Sequence, residues 1–373
     1  VRQFRKATIK DVAARSGVST TTVSNFVSGN ESVCSPETAV RIREAVAALH
    51  YAPSSLTRGL RHGATTTIGV CMSNPLDPDV SFGFHFLERL WRGIMEQADH
   101  ENYSLLHYPL SVRDGTSCSA LLDGRVDGIL LHGADARAAQ LAAAGMPTIL
   151  MTRSLQIPEG CGAVWADEAQ TVDLALEHLW SLGHRRIACV AGPVGSYRAD
   201  GTRTPAPGDA GASSRRADIA VRRLEGYCGW MLQRQSYDPA LVAYAGTWSA
   251  PHSVQFLNAW RVLEPPPTAV LCANDAQALD LIAEAQRMRW HVPQELSIVG
   301  VDDSQEARSS DPPLTSVAVP VDAVGREGVR GLVRLISGAP LEQCRVAVPV
   351  TDLSVRRSTS LLAREKGEGK REK

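Results

Sequence analysis

Aromatic residues are scarce, at 5% of a 373-residue chain, and nothing approaches the eighteen or so consecutive apolar residues that a membrane-crossing helix needs. The first residues, VRQFRKATIKDVAARSG, carry charge but no apolar core, so they do not read as a secretory signal. The cysteines, Cys34, Cys71, Cys118, Cys161, Cys189, Cys228, Cys272 and Cys344, include no C-x-x-C pair, and several sit inside apolar runs such as RIACVAG. They are expected to be buried free thiols in a reducing, cytoplasmic setting, with no metal and no cofactor. Also missing are G-x-G-x-x-G after the first strand, G-x-x-x-x-G-K-[ST], G-x-S-x-G and H-E-x-x-H, and the ten histidines are dispersed. The common phosphate-cradling and hydrolytic arrangements are therefore excluded, and no enzyme is expected.

Net charge is scarce too, at −1 overall, but it is unevenly placed. Up to Gly63 the bases are Arg2, Arg5, Lys6, Lys10, Arg15, Arg41, Arg43, Arg58 and Arg61, and the acids only Asp11, Glu31, Glu37 and Glu44. A small basic module thus precedes a larger, slightly acidic body, and the length calls for two or three domains.

The basic module reads as short helices. Ile9, Val12 and Ala13 form a first stripe after a Thr8 cap, and Gly17 stands where a helix ends. Ser19 caps a second helix, TTTVSNFV, with Val23, Phe26 and Val27 inward. A third begins at Ser35-Pro36-Glu37 and carries Val40, Ile42, Val46 and Leu49 at spacings that bury one face. From Thr65 the pattern alternates buried strands (TTTIGVCMS, SLLHYPL, DGILLHG, PTILMTR, RRIACVAGP, LVAYAGTW, TAVLCAN, LSIVGVDDS) with helical stretches such as FLERLWRGIMEQADHEN. The fold class is α/β: an all-α headpiece followed by two doubly wound parallel sheets with a ligand cleft at the carboxyl ends of their strands. Residues 194–217, rich in Gly, Pro and Ser, and the tail 361–373 are expected to be disordered.

A helix, a turn at Gly17 and a second helix opening on small polar residues make a helix-turn-helix pattern. Such a helix places its N-terminal side chains in the major groove, so Thr20, Thr21 and Asn25 are candidates to read bases. Thr8, Ser19, Thr22 and Ser24 suit caps or phosphate contacts.

The stretch ATIKDVAARSGVSTTTVSNFVSG and its continuation through LHYAPSSLTRGLR resembles the DNA-binding segment of the lactose-repressor family. EHLWSLGHRRIACVAGP at Glu177–Pro193, RRLEGY at Arg222–Tyr227, CAND at Cys272–Asp275, VPQELSIVGVDDS at Val292–Ser304 and PPLTSVAVP at Pro312–Pro320 extend the resemblance in family order. It implies a headpiece over 1–52, a hinge over 53–64, a first core subdomain over 65–163 and 321–347, and a second over 164–320 and 348–360. A periplasmic-binding-protein-like core of this kind dimerises and senses a small molecule. Asn25 stands where arginine is usual, and Asn suits adenine where Arg suits guanine. Leu60 aligns with the hinge leucine that wedges into the minor groove. Gly59 and Thr57 weaken the hinge helix, so its formation should depend on DNA.

By the same resemblance Arg223, Asn274, Asp302 and Trp248 are effector contacts, with Ser73 and Thr152 as further cleft candidates. An arginine, an amide, a carboxylate and an indole suit a sugar-like polyol. Each also has a structural reading: Asp275 as a helix cap, Trp248 as core, Arg223 and Asp302 as partners of one another. The expected partners are pseudo-palindromic double-stranded operator DNA, a sugar-like effector and a second copy of the chain. The competing classes are a solute-binding protein, which would lack the basic headpiece, and an α/β enzyme, which would need a catalytic motif.

Overall fold

The computed structural model describes residues 7–51, 64–73, 84–110, 118–132, 137–151, 157–194, 217–248 and 252–362. The chain divides into two compact units, Val1–Thr66 and Thr67–Lys373.

The first unit is built from α1 (Ile9–Ser16), α2 (Thr20–Val27) and α3 (Pro36–Ala48). Thr8 caps α1 in a reciprocal box with Asp11, and Gly17 closes it at φ 69°, a left-handed conformation that glycine adopts without strain. Pro36 occupies the first turn of α3 behind the Ser35 cap. Val12, Ala13, Val23, Phe26, Ala39, Ile42 and Ala45 form the core. Val40 does not belong to it: the residue is 48% exposed, and the smaller Ala39 and Ala45 take the buried face of α3. Alanine permits close helix approach, which a stripe chosen for larger side chains overlooks.

The second unit holds two six-stranded sheets. The first contains β1 (Thr67–Ser73), β2 (Ser104–Leu110), β3 (Gly128–Leu131), β4 (Thr148–Leu150), β5 (Gly162–Ala166) and β11 (Arg345–Val348), in the order β11-β5-β4-β3-β1-β2 and parallel throughout. The second contains β6 (Ile187–Ala191), β7 (Val242–Tyr244), β8 (Ala269–Cys272), β9 (Ser297–Val301), β10 (Thr315–Ala318) and β12 (Asp352–Ser354), in the order β12-β10-β9-β8-β6-β7. There β12 alone runs antiparallel, against β10. The chain passes between the sheets after β5, after β10 and after β11.

Covering helices follow the strands: α4 (Phe84–His100), α5 (Arg137–Ala143), α6 (Glu168–Ser181), α7 (Ala217–Gln233), α8 (Ser253–Arg261), α9 (Asp275–Arg287), the short α10 (Gln305–Ser309) and α11 (Val321–Ile336). The subdomain boundary expected at 163/164 falls inside β5, whose five residues all belong to the first sheet, so the first crossing lies after Ala166. β5, β10, β11 and β12 are not among the strand runs expected from the sequence. All but the last residue of the hinge expected over 53–64, most of the 194–217 loop and the tail beyond Leu362 lie outside the described residues.

Eight free cysteines are present, with Cys71, Cys161, Cys189, Cys272 and Cys344 buried. Burial pushes the Cys161 thiol up to about 11, so it stays protonated and inert. His178 and His184 have structural work. The Nε2 of His178 pairs with Thr359 Oγ1 at 3.0 Å, and His184 bridges Thr268 Oγ1 (2.9 Å) and the Ser360 carbonyl (3.0 Å), tying the C-terminal segment to the second sheet.

Candidate nucleic-acid interface and effector cleft

In the headpiece, Ser19 Oγ accepts the Thr22 amide at 3.0 Å and pairs with the Thr22 hydroxyl at 2.9 Å, so both are engaged at the start of α2. This cap leaves Thr20 and Thr21 exposed on the first turn, while Thr22, Ser24 and Asn25 are half-buried. Thr8 is committed to Asp11, its hydroxyl donating to the carboxylate at 2.7 Å. Lys10, Arg15, Arg41 and Arg43 are exposed, and Arg43 covers the Phe26 ring 5.4 Å from its centroid. Leu60 lies outside the described residues.

In the second unit, the predicted cleft residues sit beyond the carboxyl ends of strands. Asn274 follows β8, and its Oδ1 accepts the Gln277 amide at 2.9 Å, so Asn274 is the cap of α9; Asp275, expected in that role, is the first helical residue. The Asn274 Nδ2 donates to the Trp248 carbonyl at 2.9 Å, which draws the half-buried indole's loop to the same corner. Gly192 gives the indole room: a Cβ there would lie 3.0 Å from its ring. Asp275 is buried, accepting the Ser304 amide at 2.7 Å and the Ser316 hydroxyl at 2.6 Å. Gly300 allows this approach, since a Cβ on it would meet Asp275 Oδ1 at 2.2 Å. Burial raises the Asp275 carboxyl above the usual range, partly offset by the two serine contacts.

Arg223 on α7 is buried, and its partner is Glu168, the first residue of α6, at 2.6 Å (Nε to Oε2). Its Nη1 donates to the Ala273 carbonyl. The Arg223–Asp302 pair expected as an alternative is not formed, because Glu168 reaches the guanidinium first. Burial opposes the Arg223 charge, but Glu168, Asp302 and Asp275 outweigh it and hold the guanidinium more firmly charged than usual. Asp302, directly after β9, is half-buried at φ 112°, a region costly for any residue with a Cβ. Burial raises its carboxyl well above the usual range; Arg223 opposes the shift, while Asp275 and Glu168 reinforce it.

A small, partly open pocket lies beside this cluster. Phe86, Met151 and Trp165 line it from the first sheet's side, with Glu168, Arg222 and Arg223 opposite. Of the predicted effector residues, Arg223 alone lines it among the described residues. Ser73 ends β1, and Thr152 lies outside the described residues. Three participants escaped the sequence reading. Glu168 looks like an ordinary first-turn acid. His132, which follows β3 with its Nδ1 buried and unpartnered among the described residues, looks like one more scattered histidine. Arg89, which donates to the Asp302 carbonyl (3.2 Å) and the Asp322 carboxylate (2.9 Å), looks like a helix-surface charge.

Residues 8–54 match the bacterial regulatory proteins, lacI family; residues 65–206 match the periplasmic binding proteins and sugar binding domain of that family; and residues 176–359 match a periplasmic binding protein-like domain. The chain belongs to the lacI family. Among its relatives is the HTH-type transcriptional repressor CytR of Escherichia coli K12, 28% identical over 350 residues that span 90% of this chain and 92% of that protein. Another is the ribose operon repressor of the same organism, 29% identical over 91% of this chain and 96% of that one. A solved structure of the lac repressor dimer bound to operator and an anti-inducer superposes with a TM-score of 0.75 at 26% identity, covering 95% of this chain and all of that one. The lacI-family member therefore shares its fold, headpiece and two-sheet core, with that lac repressor structure. Among its described residues no helix is long and apolar enough to cross a membrane, and no cluster of His, Cys, Asp and Glu could hold a metal.

Proposed function

We propose that this lacI-family protein reads operator DNA with Thr20, Thr21 and Asn25 and senses a neutral, sugar-like small molecule in the cleft around Arg223, Asn274, Asp302 and Trp248. It is a DNA-binding transcriptional repressor under effector control, as its family relatives are. The observation that carries the DNA reading is the start of α2, where the Ser19 cap leaves Thr20 and Thr21 exposed on the turn that a helix-turn-helix inserts into the major groove. Thr8, Ser19, Thr22 and Ser24 position the headpiece against phosphates, and Leu60 wedges the central step. Ser73 and Thr152 are further effector contacts in this reading.

The protein works as a homodimer, because a two-fold pair of headpieces is what a pseudo-palindromic site requires. It acts in the cytoplasm on the nucleoid and catalyses no reaction. The effector shifts operator affinity only through a difference in its affinity for two arrangements of the core.

Selection of bound sequences from a random duplex pool at physiological salt tests this reading. The expected product is a palindrome with a flexible central step, whose binding changes with a member of a sugar and nucleoside panel. Absence of any preferred sequence, with and without every panel member, overturns it.

A further inference from the structure

Arg223 does not meet the cleft with an open fork. Its Nε and Nη2 form a two-point pair with the Glu168 carboxylate at 2.6 and 3.4 Å, and its Nη1 is taken by the Ala273 carbonyl. Both side chains are only 8% exposed. Glu168 is held in place from its own side: it directly follows the Asp167 cap at the N-terminus of α6, where backbone dipoles favour a negative charge. The bidentate edge of a guanidinium is what recognises a ligand carboxylate or phosphate, and here a protein carboxylate occupies it.

Arg89 is committed to Asp322 at 2.9 Å; Arg222, which lines the same pocket, has other interactions, while its buried Nε lacks a hydrogen-bond partner among the described residues. The acidic groups acting on Arg223 include Asp302 and Asp275 besides Glu168. Of these, Asp275 is satisfied by Ser304 and Ser316, whereas the Asp302 carboxylate receives no hydrogen bond or ion pair from any described residue. An anion entering here would have to displace Glu168, stranding a buried carboxylate, and would then lie close to Asp302. A hydroxyl can donate to Asp302 and displace nothing.

We propose that Glu168 is a charge filter: by occupying Arg223 it excludes carboxylated and phosphorylated ligands and reserves the cleft for neutral polyhydroxy ligands whose hydroxyls bind Asp302. This rests on the cleft reading given above, and it adds the residue that sets the ligand's charge.

The test uses the full-length protein and matched probes: glucose with glucuronate, ribose with ribose 5-phosphate, and inorganic phosphate alone. Binding is followed by thermal shift and calorimetry for the wild type, Glu168→Gln, Glu168→Asp and the double variant Glu168→Gln/Arg223→Gln. Glu168→Gln should bind at least one anionic probe at least tenfold more tightly than the wild type, and the double variant should lose that gain. Glu168→Asp, which keeps the charge, should stay closed to anions and guards against misfolding of the glutamine variant. The filter is overturned if the wild type takes the anions as well as Glu168→Gln does, or if a folded Glu168→Gln gains nothing.

Operator release by the same probes is scored separately. If glucose or ribose releases DNA while Glu168→Gln gains no anion affinity, the filter falls and the cleft reading stands. If Glu168→Gln gains anion affinity while no probe alters DNA binding, the filter stands and the probes give the effector reading no support.

Discussion

Gly93 of α4 and Gly325 of α11 meet at a helix crossing so close that neither can carry a side chain. A Cβ on Gly93 would lie 2.0 Å from the Asp322 carbonyl oxygen, and one on Gly325 would lie 2.5 Å from that of Leu90. The crossing fixes α11 on the first sheet immediately after the chain returns from the second, so it sets how the cleft's walls are joined. Gly325→Ala should therefore destabilise the core by about 1–3 kcal/mol, since overpacking outweighs the helix-propensity gain of about 1 kcal/mol. Gly229→Ala, on α7 with nothing within 4 Å of the added Cβ, should instead be neutral or stabilising. Urea unfolding of the two variants checks the contrast.

The Ser19 cap links headpiece stability to DNA binding. Ser19→Ala removes the acceptor of the Thr22 amide and should cost about 1 kcal/mol in the headpiece. Hydrogen exchange of α2 amides should rise while the second unit's protection is unchanged. Equal loosening of both units would contradict the division of the chain.

Asn25 reports on base reading. Asn25→Arg should move the selected operator at one base pair per half-site, from a preference suited to an amide toward guanine. An unchanged selected sequence means that Asn25 does not touch bases. Leu60→Ala should weaken specific binding far more than nonspecific binding, measured on operator and on random duplex. Equal losses on both would remove the wedge assignment.

His132 should make stability depend on pH. Burial lowers its imidazole from 6.5 to about 4, and its ring lies tilted against Phe86 at 5.7 Å between centroids. The unfolded chain therefore binds a proton in the range where the folded chain does not, so stability is lost as pH falls below 6.5 and the loss levels off near 4. Its size is up to roughly 3 kcal/mol. His132→Phe should flatten that part of the profile, as read from melting temperatures between pH 7 and about 4. A variant profile parallel to the wild type would show that other groups carry the acid dependence.

Much of this protein is determined by local sequence. Thr8, Gly17, Ser19 and Pro36 act within one helical turn, so caps and helix starts could be read without the fold. The continuous apolar runs of β1, β3, β6, β8 and β9 announce buried parallel strands for the same reason, since each run needs cover on both faces. What only the tertiary structure decided are relationships between distant segments. Glu168 meets Arg223 across 55 residues because α6 and α7 pack side by side, and nothing in either segment names the other. Asn274 caps α9 in place of Asp275 because Ser304 and Ser316, brought in by β9 and β10, draw the aspartate inward. β5 belongs to the first sheet because parallel pairing with β4 and β11 holds it there. Local chemistry sets caps and strand runs; partner choice among buried charges is set by geometry that exists only once both sheets are assembled.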